Sequence, residues 1–471
     1  MVRFSAIFLM TVVMISAATA RADEPLDIGS RLEPFVDDYL IENCDGATLT
    51  LQKPVAREVA IVHNEPWEGC VCCYHTVFQD GNVSKMYYRG SQSLGKGKAT
   101  HRQVVCYAES RDGINWVKPD LGIVEFEGST KNNIIWDAEI GSHNFAPFKD
   151  TNPACNPQQK YKAMGSGKGG LFAFASPDGI HWEMMSEKPV ITKGAFDSQN
   201  LAFWDSLRSR YVDFHRGFNK GVRDIMTCTS SDFLNWTEPV WLEYPGAPAE
   251  HLYTNQIAPY SRAPHIFLGF PKRYMPSRNP SNHWARGVSD GVFMTSRDGL
   301  NFHRWTEAII RPGLQKERWV NRNNMTAWGI LVTKSDIPGT PDELSIYSTE
   351  GYYTGNDCRL RRYTFRIDGF VAVNAPLAGG EMVTKPLLFS GDNLIINYST
   401  SAAGSIQVEI QDAQGEPIEG YTLADCPEII GDQIEHVVTW KDQSDLKSLA
   451  GKPVRLRFNL KDADLYSIRF R

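Results

Sequence analysis

Past its first two dozen residues, the chain has no apolar run long enough to cross a bilayer. Nor does it have a segment of useful length with helix-period hydrophobicity, which leaves an all-β reading. Charge of one sign never accumulates: the formal net charge is -6 without long like-charge runs, so no face for nucleic acid or anionic lipid is expected. Cysteine is sparse, with nine in 471 residues, too few and too scattered for a disulfide scaffold, and the odd number leaves at least one free thiol. The run "CVCC" at Cys70–Cys73 has no second Cys or His pair at ligand spacing after it. A buried or bridged cysteine cluster is therefore expected there, and no metal or other cofactor is called for.

The exceptional N-terminus reads "MVRFSAIFLMTVVMISAATARADEP". Arg3, an apolar stretch from Phe4 to Ala18 and two small-x-small sites ending at Ala20 and Ala22 have the layout of a secretory signal peptide over 1–22. A secreted or periplasmic protein is expected, with no membrane contact after cleavage. About 450 residues then remain, enough for one large domain and a smaller one.

What the chain has in abundance is repetition. "CYAESRDGINW" (106–116), "AFASPDGIHW" (173–182), "TCTSSDFLNW" (227–236) and "FMTSRDGLNF" (293–302) share one punctuation, and "YTFRIDGFVAV" (363–373) keeps its Asp-Gly. The aspartates Asp112, Asp178, Asp232, Asp298 and Asp368 are spaced by 66, 54, 66 and 70 residues. Within each unit come an apolar strand, a turn, a Tyr/Phe-rich strand, an alternating third strand ending at the Asp-Gly turn, and a short aromatic fourth. Five such four-stranded units describe a five-bladed β-propeller over 63–375. The turn aspartates are read as structural, capping backbone amides, and Trp116, Trp182, Trp236 and Phe302 as wedges between blades. From 376 to 471 the punctuation disappears and short alternating strands predict a β-sandwich. Residues 23–62 are expected to pack on the propeller.

In a propeller the first strand of each blade lines the axis, so the segments leading into those strands meet at one mouth. They are "HNEPWEGCVCCYH" (63–75), "SHNFAP" (142–147), "FDSQN" (196–200), "EHLYTNQ" (250–256) and "VNRNNMT" (320–326). Amides, histidines and arginines mixed with aromatics suit a carbohydrate, whose hydroxyls need directional partners and whose ring faces stack. The candidate substrate-binding residues are Trp67, His75, His143, Asn144, Gln199, Asn200, Arg216, His251, Tyr253, Asn255, Arg322 and Asn323. His75, His143 and His251 are read as hydrogen-bonding groups rather than metal ligands. Arg89, Arg216 and Lys272-Arg273 lie on second strands near the same mouth, where each can pair a carboxylate or bind an anionic sugar substituent.

The five-unit plan, the signal segment, the Ser-x-Asp-Gly-x-x-Trp turns and the trailing sandwich resemble the propeller glycoside hydrolases of the invertase, levansucrase and arabinanase superfamily (glycoside hydrolase family 32-like and 43-like). That resemblance implies a glycosidase acting on a plant, algal or microbial polysaccharide or oligosaccharide, with carboxylates projecting from the first strands of successive blades. By that resemblance Asp197 is the nucleophile or base and Glu250 the general acid, with Glu68 the third candidate. The invertase-like Asn-Asp-Pro-Asn-Gly is absent from the first blade, and "SHNFAP" stands where Arg-Asp-Pro belongs in the second. Two alternatives stay open: a carbohydrate-binding propeller without turnover, and a phosphorylase in which Arg216, Arg273 and His251 hold phosphate.

Overall fold

The computed structural model describes residues 24–95, 98–441 and 443–471, so the expected signal segment lies outside the described residues. Among them, helix is confined to two 3-10 turns, Pro157–Gln159 and Lys316–Trp319, and no helix is long and apolar enough to cross a membrane.

Five antiparallel blades form a propeller. Blade one is Cys73–Asp80, Val83–Gly90, Val104–Ser110 and Ile134–Trp136, in spatial order from first strand to last. Blade two is Ala146–Lys149, Tyr161–Gly167, Gly170–Ser176 and Glu183–Met184; blade three is Leu201–Asp205, Arg210–Asn219, Val222–Ser230 and Val240–Trp241. A middle strand such as Gly170–Ser176 is buried along its whole length, because neighbouring blades cover both of its faces. In blade four the first strand is interrupted between His251–Leu252 and Ala258–Tyr260, and the second between Ala263–Gly269 and Lys272–Met275. Tyr253 through Gln256 lie in that interruption, where the Tyr253 amide still donates to the Lys272 carbonyl and the Asn255 carbonyl accepts from the Phe270 amide.

Blade five differs from expectation. Leu331–Thr333, Glu343–Glu350 and Arg359–Arg366 are completed by Val55–Val62, which pairs Ile61 with Leu360 and Ala56 with Tyr363. A strand that precedes blade one thus supplies the outermost strand of the last blade and ties the ring shut. At that seam Gly329 lies so close to Val77 that a Cβ would overlap the Val77 carbonyl oxygen.

The other N-terminal strands join the C-terminal unit. Leu26–Gly29, Glu33–Pro34, Ile41–Asp45 and Thr48–Leu51 pair with Leu387–Phe389, Val454–Phe470, Gly380–Thr384 and Val371–Ala375 respectively. Two long strands, Leu394–Asp412 and Val454–Phe470, run antiparallel through this β-sandwich around a core that includes Trp440, Ile406, Val408, Leu456 and Phe458. The described part of that segment, 24–62, therefore divides between the two units instead of packing on the propeller as one piece, and Val371–Ala375 belongs to the sandwich sheet. All nine cysteines are free thiols, and Cys70, Cys72, Cys73 and Cys358 are buried.

Candidate functional site

The lead-in segments are held mainly by their own amides. Asn144 Nδ2 donates to the carbonyls of Phe196 and Ser198, and Asn200 Nδ2 donates to the same two oxygens. Asn255 Nδ2 reaches the Phe214 carbonyl, and Asn323 Nδ2 those of Val320 and Tyr352. Gln199 Nε2 donates to the Tyr74 and His75 carbonyls while its Oε1 accepts from Gln256 Nε2 at 2.8 Å. These buried amides saturate backbone carbonyls of the lead-in segments and of the neighbouring strands, so Asn144, Gln199, Asn200, Asn255 and Asn323 position loops. Their amide donors are not free for a ligand.

Other expected contacts face elsewhere. Trp67 donates its indole N–H to Asn133 Oδ1 at 2.7 Å and packs edge-on against Phe126 in the core of blade one. His75 is buried with Nε2 2.9 Å from His63 Nε2, and burial followed by the His63 and Arg89 charges drives its pKa well below the ordinary histidine value. His251 Nδ1 accepts from the Arg223 amide. His75, His143 and His251 thus have separate partners.

Two of the three candidate carboxylates are committed to other groups. Glu68 is buried; its oxygens accept from the Tyr88 hydroxyl, Lys118 Nζ and the Glu65 amide, and His63 Nδ1 stands 3.6 Å away. Burial alone would raise its pKa, but His63 and Lys118 outweigh that and hold it at about 2, the opposite of what a proton donor needs. Glu250 takes Arg273 Nη1 at 3.2 Å and Arg304 Nη1 at 2.6 Å. It lines a cavity of about 280 Å³ with Asn219, Asp224, Tyr244 and Arg304, and that lining includes neither Asp197 nor Arg322. Arginines thus occupy the oxygens of Glu250, the residue expected to act as acid opposite Asp197.

Asp197 is different. Its side chain is 71% exposed and ion-pairs with Arg216. Its backbone carbonyl accepts from the hydroxyls of Tyr253, at 2.6 Å, and Tyr74, at 3.0 Å, which lie 2.8 Å from each other. Around this pair are Arg89, whose Nη2 donates to Tyr352 Oη at 2.9 Å, Arg322, whose Nη1 donates to the same oxygen at 3.2 Å, and Lys272, 4.4 Å from the Tyr253 ring centre. His143 is tied in through Arg89 Nη1 at 3.3 Å; burial, then the Arg89 and Arg322 charges, lower its pKa to about 3. Tyr74, Arg322 and Tyr353 all have left-handed backbones, with φ of 59, 74 and 62°. Such conformations cost free energy in a residue with a Cβ and concentrate at functional positions.

The structure thus brings together Asp197, Arg216, Tyr253, Arg322 and His143 from the expected set. It adds Tyr74, Arg89, Lys272, Tyr352 and Tyr353. Arg89 and Lys272 were legible as basic residues on second strands, whereas Tyr352 and Tyr353 had only the pattern "STEGYY", the end of a second strand, to mark them.

No family model matches the chain. Two proteins of Mycobacterium tuberculosis, Uncharacterized protein MT1551 and Uncharacterized protein Rv1502, are each 27% identical to it over 166 residues, 34% of this chain and 47% of theirs. The chain spans about half the length of the curated relatives it matches. Similar solved structures include the catalytic domain of Coprinopsis cinerea GH62 alpha-L-arabinofuranosidase (10% identity, 67% of this chain, 99% of that one, TM-score 0.44). Another is Bombyx mori GH32 beta-fructofuranosidase BmSUC1 (8% identity, 88% and 95%, TM-score 0.41). At such scores the likeness carries nothing about activity or substrate.

Proposed function

We propose that the chain is a carbohydrate-active enzyme that cleaves glycosidic bonds at the propeller mouth, with Asp197 as the reacting carboxylate. The observation that supports this most directly is the contrast in exposure: the Asp197 side chain, although paired with Arg216, is 71% exposed, while Glu68 is buried and Glu250 is largely covered between two arginines. Tyr74 and Tyr253 donate to the Asp197 backbone carbonyl and so hold this residue at the mouth. Burial, then the neighbouring Tyr253, pushes the Tyr74 pKa well above the ordinary phenol value, so this hydroxyl keeps its proton at neutral pH. The substrate would be a polysaccharide or oligosaccharide met outside the cytoplasm.

A second reading, a propeller that binds carbohydrate without turnover, is favoured by the commitment of Glu68 and Glu250, because glycosidases generally need two free carboxyl groups. The phosphorylase reading loses its assembled site: Arg273 is paired with Asp290 and Glu250, and His251 with the Arg223 amide. Release of reducing ends from a polysaccharide panel decides between cleavage and binding. Wild-type release that Asp197→Asn abolishes supports the enzyme; retention of glycan on an affinity gel with no release leaves the binding reading.

A further inference from the structure

Burying a cation is costly unless a carboxylate accompanies it. Elsewhere this chain follows the rule: Arg304 pairs with Glu250, Arg318 with Glu350 and Arg362 with Glu58. The floor of the mouth breaks it. Arg89, Arg216 and Lys272 are 4%, 2% and 1% exposed, and Arg322 is half-buried beside them. Among the described residues, the ion pairs of these four cations reduce to one, Arg216 with Asp197.

Their hydrogen bonding is also incomplete. Arg216 Nε and Nη1 and Arg89 Nε have no partner among the described residues. Lys272 Nζ meets Asn321 Oδ1 at 3.3 Å. In place of carboxylates the cations have ring faces: Lys272, Arg216 and Arg322 lie 4.4, 5.2 and 5.9 Å from the Tyr253 centroid, and Arg89 lies 5.0 Å from that of Tyr74. Ring quadrupoles attract cations without cancelling their charge. Burial, then Arg322 and Arg223, accordingly presses the Lys272 pKa well below the ordinary lysine value.

We infer that this floor receives an oxyanion substituent of the sugar, a carboxylate or a sulfate, with Arg89, Arg216, Arg322 and Lys272 as its counter-charges. The inference rests on the carbohydrate reading and sets its substrate class. Guanidinium groups suit such oxyanions because their planar donors match two oxygens at once. The sugar itself has a surface at the rim, where Trp284, 42% exposed, stands 4.6 Å from Tyr353 between ring centroids.

The test uses calorimetric and thermal-shift titrations of the full chain with galacturonate oligosaccharides, sulfated galactose oligosaccharides, neutral galactose oligosaccharides and inorganic sulfate. Acidic oligosaccharides should bind at least about tenfold more tightly than neutral ones, the scale of one charge-assisted contact. Arg322→Gln and Lys272→Met should each erase that preference. Without ligand, both variants should melt at or above the wild-type temperature, a readout that a merely structural role for these cations would not give. Equal binding of neutral and acidic sugars overturns the inference, as does a preference that survives both substitutions. Failure of every acidic probe, sulfate included, to stabilise the wild type also overturns it. If inorganic sulfate stabilises as well as the acidic sugars at equal concentration, the site takes a free oxyanion and the sugar-borne claim falls. Acidic glycan bound without release of reducing ends leaves this inference standing while cleavage falls; cleavage of neutral glycan alone does the reverse.

Discussion

At the scale of single residues, the useful contrast is between carboxylates that look alike in the sequence. Asp197→Asn should abolish turnover; it also removes the ion-pair partner of the buried Arg216, but should cost less stability than Glu250→Gln, because the Asp197 carboxylate is 71% exposed and meets one arginine while Glu250 meets two. Glu250→Gln should cost about 2–3 kcal/mol, because it leaves the buried Arg304 without its counter-charge. Denaturant unfolding measures both, and equal costs would contradict the assignment. His143 provides a pH test. Its folded pKa of about 3 lies below the ordinary 6.5, so the unfolded chain takes up the proton first. Stability from this group is therefore full above pH 6.5 and declines as pH falls toward 3. His143→Gln should flatten the stability profile between about pH 6.5 and 4.5, above the range where carboxylates begin to titrate. An unchanged slope there would place the acid sensitivity in other groups.

At the scale of elements, the Ser-x-Asp-Gly turn shows what a sequence can convey. In blade one, Asp112 Oδ1 accepts from the amides of Ile114 and Asn115, and the same arrangement recurs at Asp178, Asp232 and Asp298. The aromatic after the turn meets the preceding blade, Trp116 against Tyr347 and Trp182 against Tyr87, as expected of a wedge. Blade three departs from the pattern, since Phe233 occupies the glycine position at φ 69°. Its ring is fully buried among Phe148, Tyr211 and Trp236. Phe233→Gly would relieve about 1 kcal/mol of backbone strain but lose about 3–5 kcal/mol of packing, so net destabilisation is expected in denaturant unfolding. The five blades were legible because this turn is a local device whose residues sit close together along the chain. The closing strand Val55–Val62 was not, because its pairing with Arg359–Arg366 spans some three hundred residues and leaves no periodic mark. The same limit governed the site. Lead-in segments were found by position, yet which polar groups saturate backbone and which remain free depends on burial that spacing does not encode.

At the scale of the whole molecule, the question is how the sandwich is fixed to the ring. Glu33, on a strand paired with Val454–Phe470, is fully buried and accepts from Arg31 Nε at 2.5 Å and Arg297 Nη1 at 2.9 Å, with His265 Nε2 at 3.1 Å. Arg297 also pairs with Asp37 at 3.1 Å and lies 4.0 Å from the Tyr39 ring centre. It is the variable residue of the blade-four turn, so a position left free by the repeat serves the contact between units. Burial alone would raise the Glu33 pKa, but His265, Arg297 and Arg31 hold it at about 2, below the ordinary 4.5. The stabilisation is therefore complete above pH 4.5 and is lost as pH falls toward 2. Glu33→Gln should lower stability by about 3 kcal/mol at neutral pH, because two arginines lose a buried counter-charge, and should make the acid limb shallower below about pH 4.5. Arg297→Ala should lower stability without changing the propeller's own turns, since Asp298 caps Leu300 and Asn301 independently of the Arg297 side chain. If either variant melts like the wild type and keeps its acid slope, the buried Glu33–Arg297 pair is not what holds the sandwich against blade four.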